Sequence, residues 1–286
     1  MVTLDNWQAK MVTDLKLRDH RPTTATAYVN AVRQFVRWVE RPPETWEPED
    51  VRRYVLYLRE EKELSASSIN VAVSGLKFFV KHTLEREWPA VERIRIKHRR
   101  KLPVVLSRFE VRTILRRVRQ PLPRMAFTVI YGLGLRIGEA LRLEARDIDS
   151  DRMIVSIRDG KGGHDRSVIL PRPLLARLRD YWQRDRPRSA SRRLLITERT
   201  GAPPHPTMLQ KAFKVVCLEA GIEKHATVHT LRHSYATHLL ESGISLRAIQ
   251  DALGHKSLTT TMGYTHVTNT GAKSMRDKLD ELMAEL

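Results

Sequence analysis

The chain is poor in cysteine, in aromatic residues and in acid. Cys217 is the only cysteine among 286 residues, so no internal disulfide and no cysteine-based zinc site can form. It stands at helical spacing from Phe213, Val216 and Ala220, the setting of a small buried hydrophobe. No apolar run approaches the roughly 20 residues of a membrane helix. Residues 1–18 carry Asp5 and Asp14 within an amphipathic pattern, unlike a signal peptide, so a cytoplasmic location is the expectation. There is no internal repeat, no low-complexity tract and no Walker-type phosphate loop: Gly160-Lys161-Gly162-Gly163 lacks both the spacing and the Ser/Thr. Acid is the telling shortage. Only 33 Asp and Glu face 51 Lys and Arg, a formal charge of +18 and a pI near 10.4. A balance this basic points to a polyanion as partner, nucleic acid before any other.

That charge is unevenly placed. Residues 1–97 hold 17 basic and 14 acidic side chains, residues 98–286 hold 34 and 19. Hydrophobic residues make up 41%, enough for packed cores.

Residues 1–90 read as four helices. Trp7, Met11 and Leu15, with Leu17, form the first apolar stripe. Thr23 or Thr24 is placed to cap a second, with Tyr28, Val32, Phe35, Val36 and Val39 inward, stopped at Pro42-Pro43. Glu49 and Asp50 open a third, with Val51, Tyr54, Val55 and Leu58 inward. Ser65 caps a fourth over Ile69, Val73, Leu76, Phe79 and Val80. Arg93-Ile-Arg-Ile-Lys-His-Arg-Arg-Lys101 follows; six of its nine residues are basic, which reads as an exposed linker. Lys97, Arg99, Arg100 and Lys101 are its candidates for tracking a DNA backbone, where phosphate contacts release counterions.

Ser107-Arg-Phe-Glu110 restarts helix with a capping box. A helical stripe over 124–145 is broken at Gly132-Leu-Gly134. Ile148, Met153–Ile157 and Ser167–Leu170, separated by Asp/Ser- and Gly-rich turns, read as antiparallel hairpins. Helices then resume, with Thr207-Met-Leu-Gln210 as a further capping box, and Met275, Leu279, Leu282, Met283 and Leu286 share one face at the end. The expected fold class is mainly α: a small four-helix domain over 1–98, a basic linker at 99–104, and a mainly helical domain with a small antiparallel sheet over 105–286.

Five segments of the second domain hold polar residues in suggestive positions: Arg136 with Glu139, Lys161 in its glycine turn, His229 with Arg232 and His233, His255, and Tyr264 followed by His266. Each is weak alone. An arginine in an apolar helix is usually paired with an acid, and Glu139 is three residues on. His229 and His233 are four apart, but a metalloprotease pair needs Glu after its first His, and Thr230 stands there; no metal or other cofactor is expected. Together the residues suit phosphoryl transfer. Two guanidiniums, Arg136 and Arg232, can hold the non-bridging oxygens with forked hydrogen bonds that a lysine cannot match. Lys161 on a hairpin tip can protonate a leaving 5′-oxygen. Tyr264, with an unperturbed pKa of ~10, must lose its proton as it attacks. His229 or His255 can take it, the other donating to phosphate. The product is a phosphotyrosyl ester, whose retained ester energy allows rejoining without a nucleotide.

In this order, and in the words Gly-Leu-Arg-Ile-Gly-Glu-Ala-Leu, His-Thr-Leu-Arg-His-Ser-Tyr-Ala-Thr-His-Leu-Leu and Leu-Gly-His-Lys-Ser-Leu-Thr-Thr-Thr-Met-Gly-Tyr-Thr-His-Val, the chain resembles the tyrosine recombinases of the phage integrase family over about 132–267. The resemblance extends more weakly to Thr23–Trp38, similar to the family's SAM-like core-binding domain. It implies catalytic roles for Arg136, Lys161, His229, Arg232, His255 and Tyr264, and an orienting role for Glu139. It implies a two-domain clamp on double-stranded DNA, a homotetramer on paired sites acting through a Holliday junction, and a terminal helix around 274–286 that docks into a neighbouring protomer. With no arm-binding domain seen before residue 20 and no large insertion before His229, a simple integrase or Xer-like member is the expectation. Two other readings are a type IB topoisomerase, which shares the tyrosine chemistry, and a DNA-binding regulator, to which the helix-turn-helix-like run Gly243–Gly254 would belong.

Overall fold

The computed structural model describes residues 6–97, 103–158 and 165–254. The chain divides into two compact units, Met1–Arg100 and Lys101–Leu286.

Among the described residues the first unit is all helical: α1 (Trp7–Leu17), α2 (Pro22–Val39), α3 (Pro48–Glu60), α4 (Ala66–Phe78), which runs on into a π-helical turn at Phe79–Thr83, and the short α5 (Pro89–Glu92). The stripes read from the sequence are the ones buried. Met11, Leu15, Val32, Phe35, Val51, Tyr54, Ile69, Leu76 and Phe79 are at most 2% exposed, whereas Leu17 lies 76% exposed at the end of its helix. Rings fill the centre. Phe35 meets Trp46 edge to face at 4.7 Å between centroids and Tyr54 at 5.0 Å, a geometry that aligns ring edges with ring faces. α2 and α4 approach closely because Gly75 stands between them: a Cβ there would lie 3.1 Å from the backbone of Tyr28.

Three local expectations needed correction. α2 begins at Pro22 with Arg21 as its N-cap, not at Thr23 or Thr24, because a proline is preorganised for the first helical position. The same holds for the helix expected to start at Thr207: Pro206 opens it and the His205 ring accepts from the Thr207 amide. The third concerns the linker. Over 93–97 it is not a free strap: Ile94 and Ile96 pack on the first unit's core, the Asn70 side chain donates to the Ile96 carbonyl (2.9 Å) and accepts from its amide (3.0 Å), and Lys77 Nζ donates to the carbonyls of Glu92 and Ile94.

The second unit continues with α6 (Arg108–Arg117), α7 (Pro121–Gly132), α8 (Ile137–Arg142), strands β1 (Ile148–Asp149), β2 (Ile154–Ile157) and β3 (Arg166–Ile169), then α9 (Arg172–Asp180), α10 (Pro206–Glu219), α11 (Val228–Glu241) and α12 (Leu246–Leu253). The sheet is antiparallel in the order β1-β2-β3, with Ile157 opposite Arg166. Val155, Ile157 and Val168 face the core and Ile169 faces solvent, the alternation a half-buried sheet requires. α7 is apolar nearly all round, with Ala126, Phe127, Val129 and Ile130 inaccessible, and packs between α11, α10 and α9 as the central helix of the unit. The mainly α class with a small antiparallel sheet is therefore the class observed. No described helix is long and apolar enough to cross a membrane.

Candidate active site

The site is assembled where α7 ends. Gly134 takes a left-handed conformation (φ +61°), and a Cβ on it would lie 2.5 Å from the Tyr235 ring. Only glycine satisfies both conditions. This turn buries Leu133 and Leu135 and delivers Arg136 to the N-cap of α8. Glu139, at the third position of α8, accepts from the Arg136 amide at 2.8 Å. A carboxylate at that position closes the helix start and meets the positive end of the helix dipole.

Glu139 is 3% exposed and is the anionic centre of a cationic cluster. Its Oε1 accepts from Arg136 Nη1 (2.7 Å) and Arg166 Nη1 (3.0 Å); its Oε2 accepts from Arg166 Nη2 (2.9 Å) and lies 3.5 Å from Arg232 Nη1. Burial raises its pKa, but the bonds from Arg166 and from the Arg136 amide outweigh that and hold it at about 2. Arg232 comes from the first turns of α11 and is only 1% exposed. Its Nη1 donates to the Gly134 carbonyl (2.7 Å) and its Nη2 to the Leu253 carbonyl (2.6 Å). Arg166 Nε donates to the carbonyl of Ala252 at 2.9 Å. Two guanidiniums thus satisfy carbonyls that the C-terminus of α12 leaves unpaired, and Gly254 (φ +63°) ends that helix against Arg166. Among the described residues three cations share Glu139, so this part of the cluster carries excess positive charge.

His229, one turn before Arg232 on α11, presents its ring at the surface beside a cleft of about 630 Å³ lined by Phe213, Ile222 and Val228. Burial of part of its ring, and then the Arg232 and Arg136 guanidiniums, lower its pKa, which keeps the imidazole neutral and able to accept a proton at neutral pH. His233 stacks on it edge to face at 4.6 Å between centroids, its own pKa pushed down to about 4 by burial and by His229. Cys217 is buried and its thiol is pushed up to about 11, so it packs as a small hydrophobe.

Of the residues singled out in the sequence, Arg136, His229 and Arg232 are brought to one place. Lys97 is exposed in the first unit. Lys161, His255, Tyr264, Arg99, Arg100 and Lys101, with the terminal helix over 274–286, lie outside the described residues. The helix-turn-helix-like run forms α12, capped by Ser245; Ile249 and Leu253 pack on Ala236, and its last carbonyls hold Arg166 and Arg232. Arg166 was missed. It stands 27 residues from Glu139 in the chain, and no periodicity reports a contact of that range.

Comparison with known proteins places these features in a family. Residues 104–270 match the phage integrase family, and residues 7–90 match the phage integrase N-terminal SAM-like domain. A putative integrase/recombinase of Sinorhizobium fredii is 39% identical, covering 90% of this chain and 83% of the relative. The tyrosine recombinase XerA of Thermococcus kodakarensis is 33% identical over 96% of each chain. Among solved structures, a XerA recombinase covers 96% of this chain and 98% of its own at 27% identity, TM-score 0.56. A lambda integrase tetramer bound to a Holliday junction shares the fold at 19% identity, covering 92% of this chain and 77% of its own, with a TM-score of 0.74.

Proposed function

The chain belongs to the phage integrase family and is a tyrosine-type site-specific recombinase, and from that premise we propose how its residues cut and rejoin DNA. The Tyr264 hydroxyl attacks the scissile phosphorus. The P–O5′ bond breaks, a bond from phosphorus to the tyrosine oxygen forms, and the 3′ end is left on the enzyme as a phosphotyrosyl ester. The phenolic proton passes to an imidazole, of His229 or of His255, and Lys161 protonates the departing 5′-oxygen. Arg136 and Arg232 hold the non-bridging oxygens through the transition state, where charge fixed in advance contributes most. The 5′-hydroxyl of the incoming strand reverses the sequence, so neither ATP nor a metal ion takes part.

The observation that carries this reading is the cluster on Glu139. It sets Arg136 and Arg232 on one buried carboxylate, with excess positive charge and a neutral His229 beside them. Residues 1–98 serve as the core-binding domain, 99–104 as the basic linker and 105–286 as the catalytic domain. The protein works on double-stranded DNA as a homotetramer bridging two sites; the lambda integrase tetramer that shares its fold is bound to a Holliday junction.

A covalent trap tests the chemistry. Purified protein is mixed with host DNA fragments in EDTA buffer, quenched in detergent, and assayed for protein-linked DNA beside Tyr264→Phe. Adduct with wild type alone, through a 3′-phosphotyrosyl link, is expected, and sequencing the trapped DNA identifies the site. Adduct with Tyr264→Phe would overturn the nucleophile assignment. Relaxation without exchange between two recovered sites would favour the topoisomerase reading.

A further inference from the structure

Glu139 faces three guanidiniums, yet only two belong to the residues assigned to the scissile phosphate. The third takes the largest share. Arg166 engages both carboxylate oxygens, at 3.0 and 2.9 Å, while its Nε is fixed on the Ala252 carbonyl at 2.9 Å. Its side chain is 10% exposed, and its aliphatic part runs so close to Gly254 that a Cβ there would stand 2.9 Å from Cδ. Arg136 makes one side-chain bond to Glu139, at 2.7 Å, and Arg232 a long contact at 3.5 Å. An unopposed buried acid beside these two would compete with a phosphate for their N–H groups and cancel part of their charge. A two-pronged guanidinium on both oxygens is the arrangement that best satisfies such an acid.

Building on the phosphate-clamp reading above, we propose that Arg166 is a positioning residue of the cleavage reaction: by occupying both oxygens of Glu139 it balances that carboxylate, so that the positive charge of Arg136 and Arg232 acts on the scissile phosphate instead of being cancelled by the acid. Arg166 has its Nε on the Ala252 carbonyl and both terminal nitrogens on Glu139, so it acts through Glu139. The carboxylate in turn keeps Arg136 in place at the start of α8, so the acid is useful only while Arg166 is there to balance it. A lysine at 166 keeps the charge but offers a point donor in place of the fork, and serves less well.

The test is single-turnover cleavage of the site recovered by the covalent trap, made once with its phosphodiester and once with a methylphosphonate at the scissile position. The methylphosphonate carries no charge on its non-bridging atoms and asks less of the clamp. Arg166→Met is expected to slow phosphodiester cleavage about ten- to a hundredfold, the size found when a hydrogen-bond partner that orients a metal ligand is removed. Arg166→Lys should slow it less. Both defects should shrink several-fold on the methylphosphonate, as should that of Arg136→Lys, and adding Glu139→Gln to Arg166→Met should recover rate because the competing acid is gone. Should Arg166→Met fold poorly, Arg166→Lys supplies the same readout. Defects of equal size on both substrates, while that of Arg136→Lys still shrinks, would overturn the assignment of Arg166 and leave the clamp standing. If the Arg136→Lys defect does not shrink either, the clamp falls and the role of Arg166 with it.

Discussion

The two units each bury a carboxylate at the start of a helix, and they treat it differently. In the first, Asp50 at the head of α3 is 2% exposed; it accepts from the Glu47 amide at 2.9 Å and pairs with Arg41 and Arg53, whose side chains are 44% and 61% exposed. In the second, Glu139 holds arginines whose side chains are 24%, 10% and 1% exposed. Asp50 lets its cations lie in water, where they are screened. Glu139 draws its cations inside, where a field persists. The first arrangement closes a helix. The second stores positive charge at a fixed place, at a cost in desolvation that stability alone would not justify.

The largest effect expected from this contrast is at Arg232. Arg232→Gln leaves the carbonyls of Gly134 and Leu253 short of a donor and Glu139 short of a cation. Breaking one partner out of a buried ionic set costs about 3–5 kcal/mol of stability, and losing a charge donor to the phosphate should slow cleavage by about a hundredfold or more. Asp50→Asn should lower stability by only about 1–2 kcal/mol and leave the cleavage rate on saturating DNA unchanged. Denaturant unfolding and single-turnover cleavage on both variants decide it; if Asp50→Asn slows the chemical step as much as Arg232→Gln, the contrast between the units fails.

A pH series sharpens the same contrast. The Glu139 carboxyl is held at about 2 in the folded chain against an ordinary value of 4.5. A depressed carboxylate contributes stability that is fully present above its unfolded pKa and is lost as pH falls through the folded one. The loss therefore falls between about pH 4.5 and pH 2 and amounts to about 3 kcal/mol. Asp50 is shifted in the same direction: burial raises its pKa, but the Glu47 amide and the Arg53 and Arg41 guanidiniums outweigh it. Its contribution is lost as pH falls below its ordinary value of 3.8, but with exposed partners it should fade in high salt, while that of Glu139 should persist. Urea unfolding of Glu139→Gln and Asp50→Asn across that range, in low and high salt, reads both. Equal salt sensitivity would mean that the Glu139 cluster is wetter than its exposures indicate.

What the sequence disclosed follows the range of each contact. The helices of the first unit were legible because a 3.6-residue stripe is local, and so were the serine caps at Ser65 and Ser107, whose hydroxyls accept from the third residue on. Thr23, Thr24 and Thr207 were misread for one shared reason: a proline stands just upstream, and its fixed φ starts the helix before the threonine can cap it. The segment at 93–97 was judged by its charge, although Ile94 and Ile96 already carried the period-2 alternation of a chain lying on an apolar surface. At the site, the Arg136–Glu139 pair is three residues long and could be expected. Arg166 on Glu139 and Arg232 on the carbonyl of Leu253 depend on how α8, α11, α12 and β3 come together, and neither leaves a mark in local sequence.

The smallest effect concerns charge that nothing buries. In the segment at 93–97 the two isoleucines turn inward and Arg93, Arg95 and Lys97 stay exposed, on a backbone held by Asn70 and Lys77. Arg95 and Lys97 alternate with the two isoleucines and Arg93 ends α5, so all three cations are open to a sugar–phosphate strand. Such contacts position DNA without reading its sequence. Each one removed should lower the slope of log affinity against log salt by about 0.9. Lys97→Ala should then weaken binding only a few-fold near physiological salt, and Arg93, Arg95 and Lys97 all changed to Ala should lower the slope about three times as far, with the rate on saturating DNA unchanged. Additive loss of binding here, beside non-additive loss of chemistry around Glu139, is what the contrast between the units requires. A slope that does not move in the triple variant would mean that these three side chains face solvent in the complex, and that the basic excess from residue 98 onward, 34 basic side chains against 19 acidic, carries the DNA contact alone.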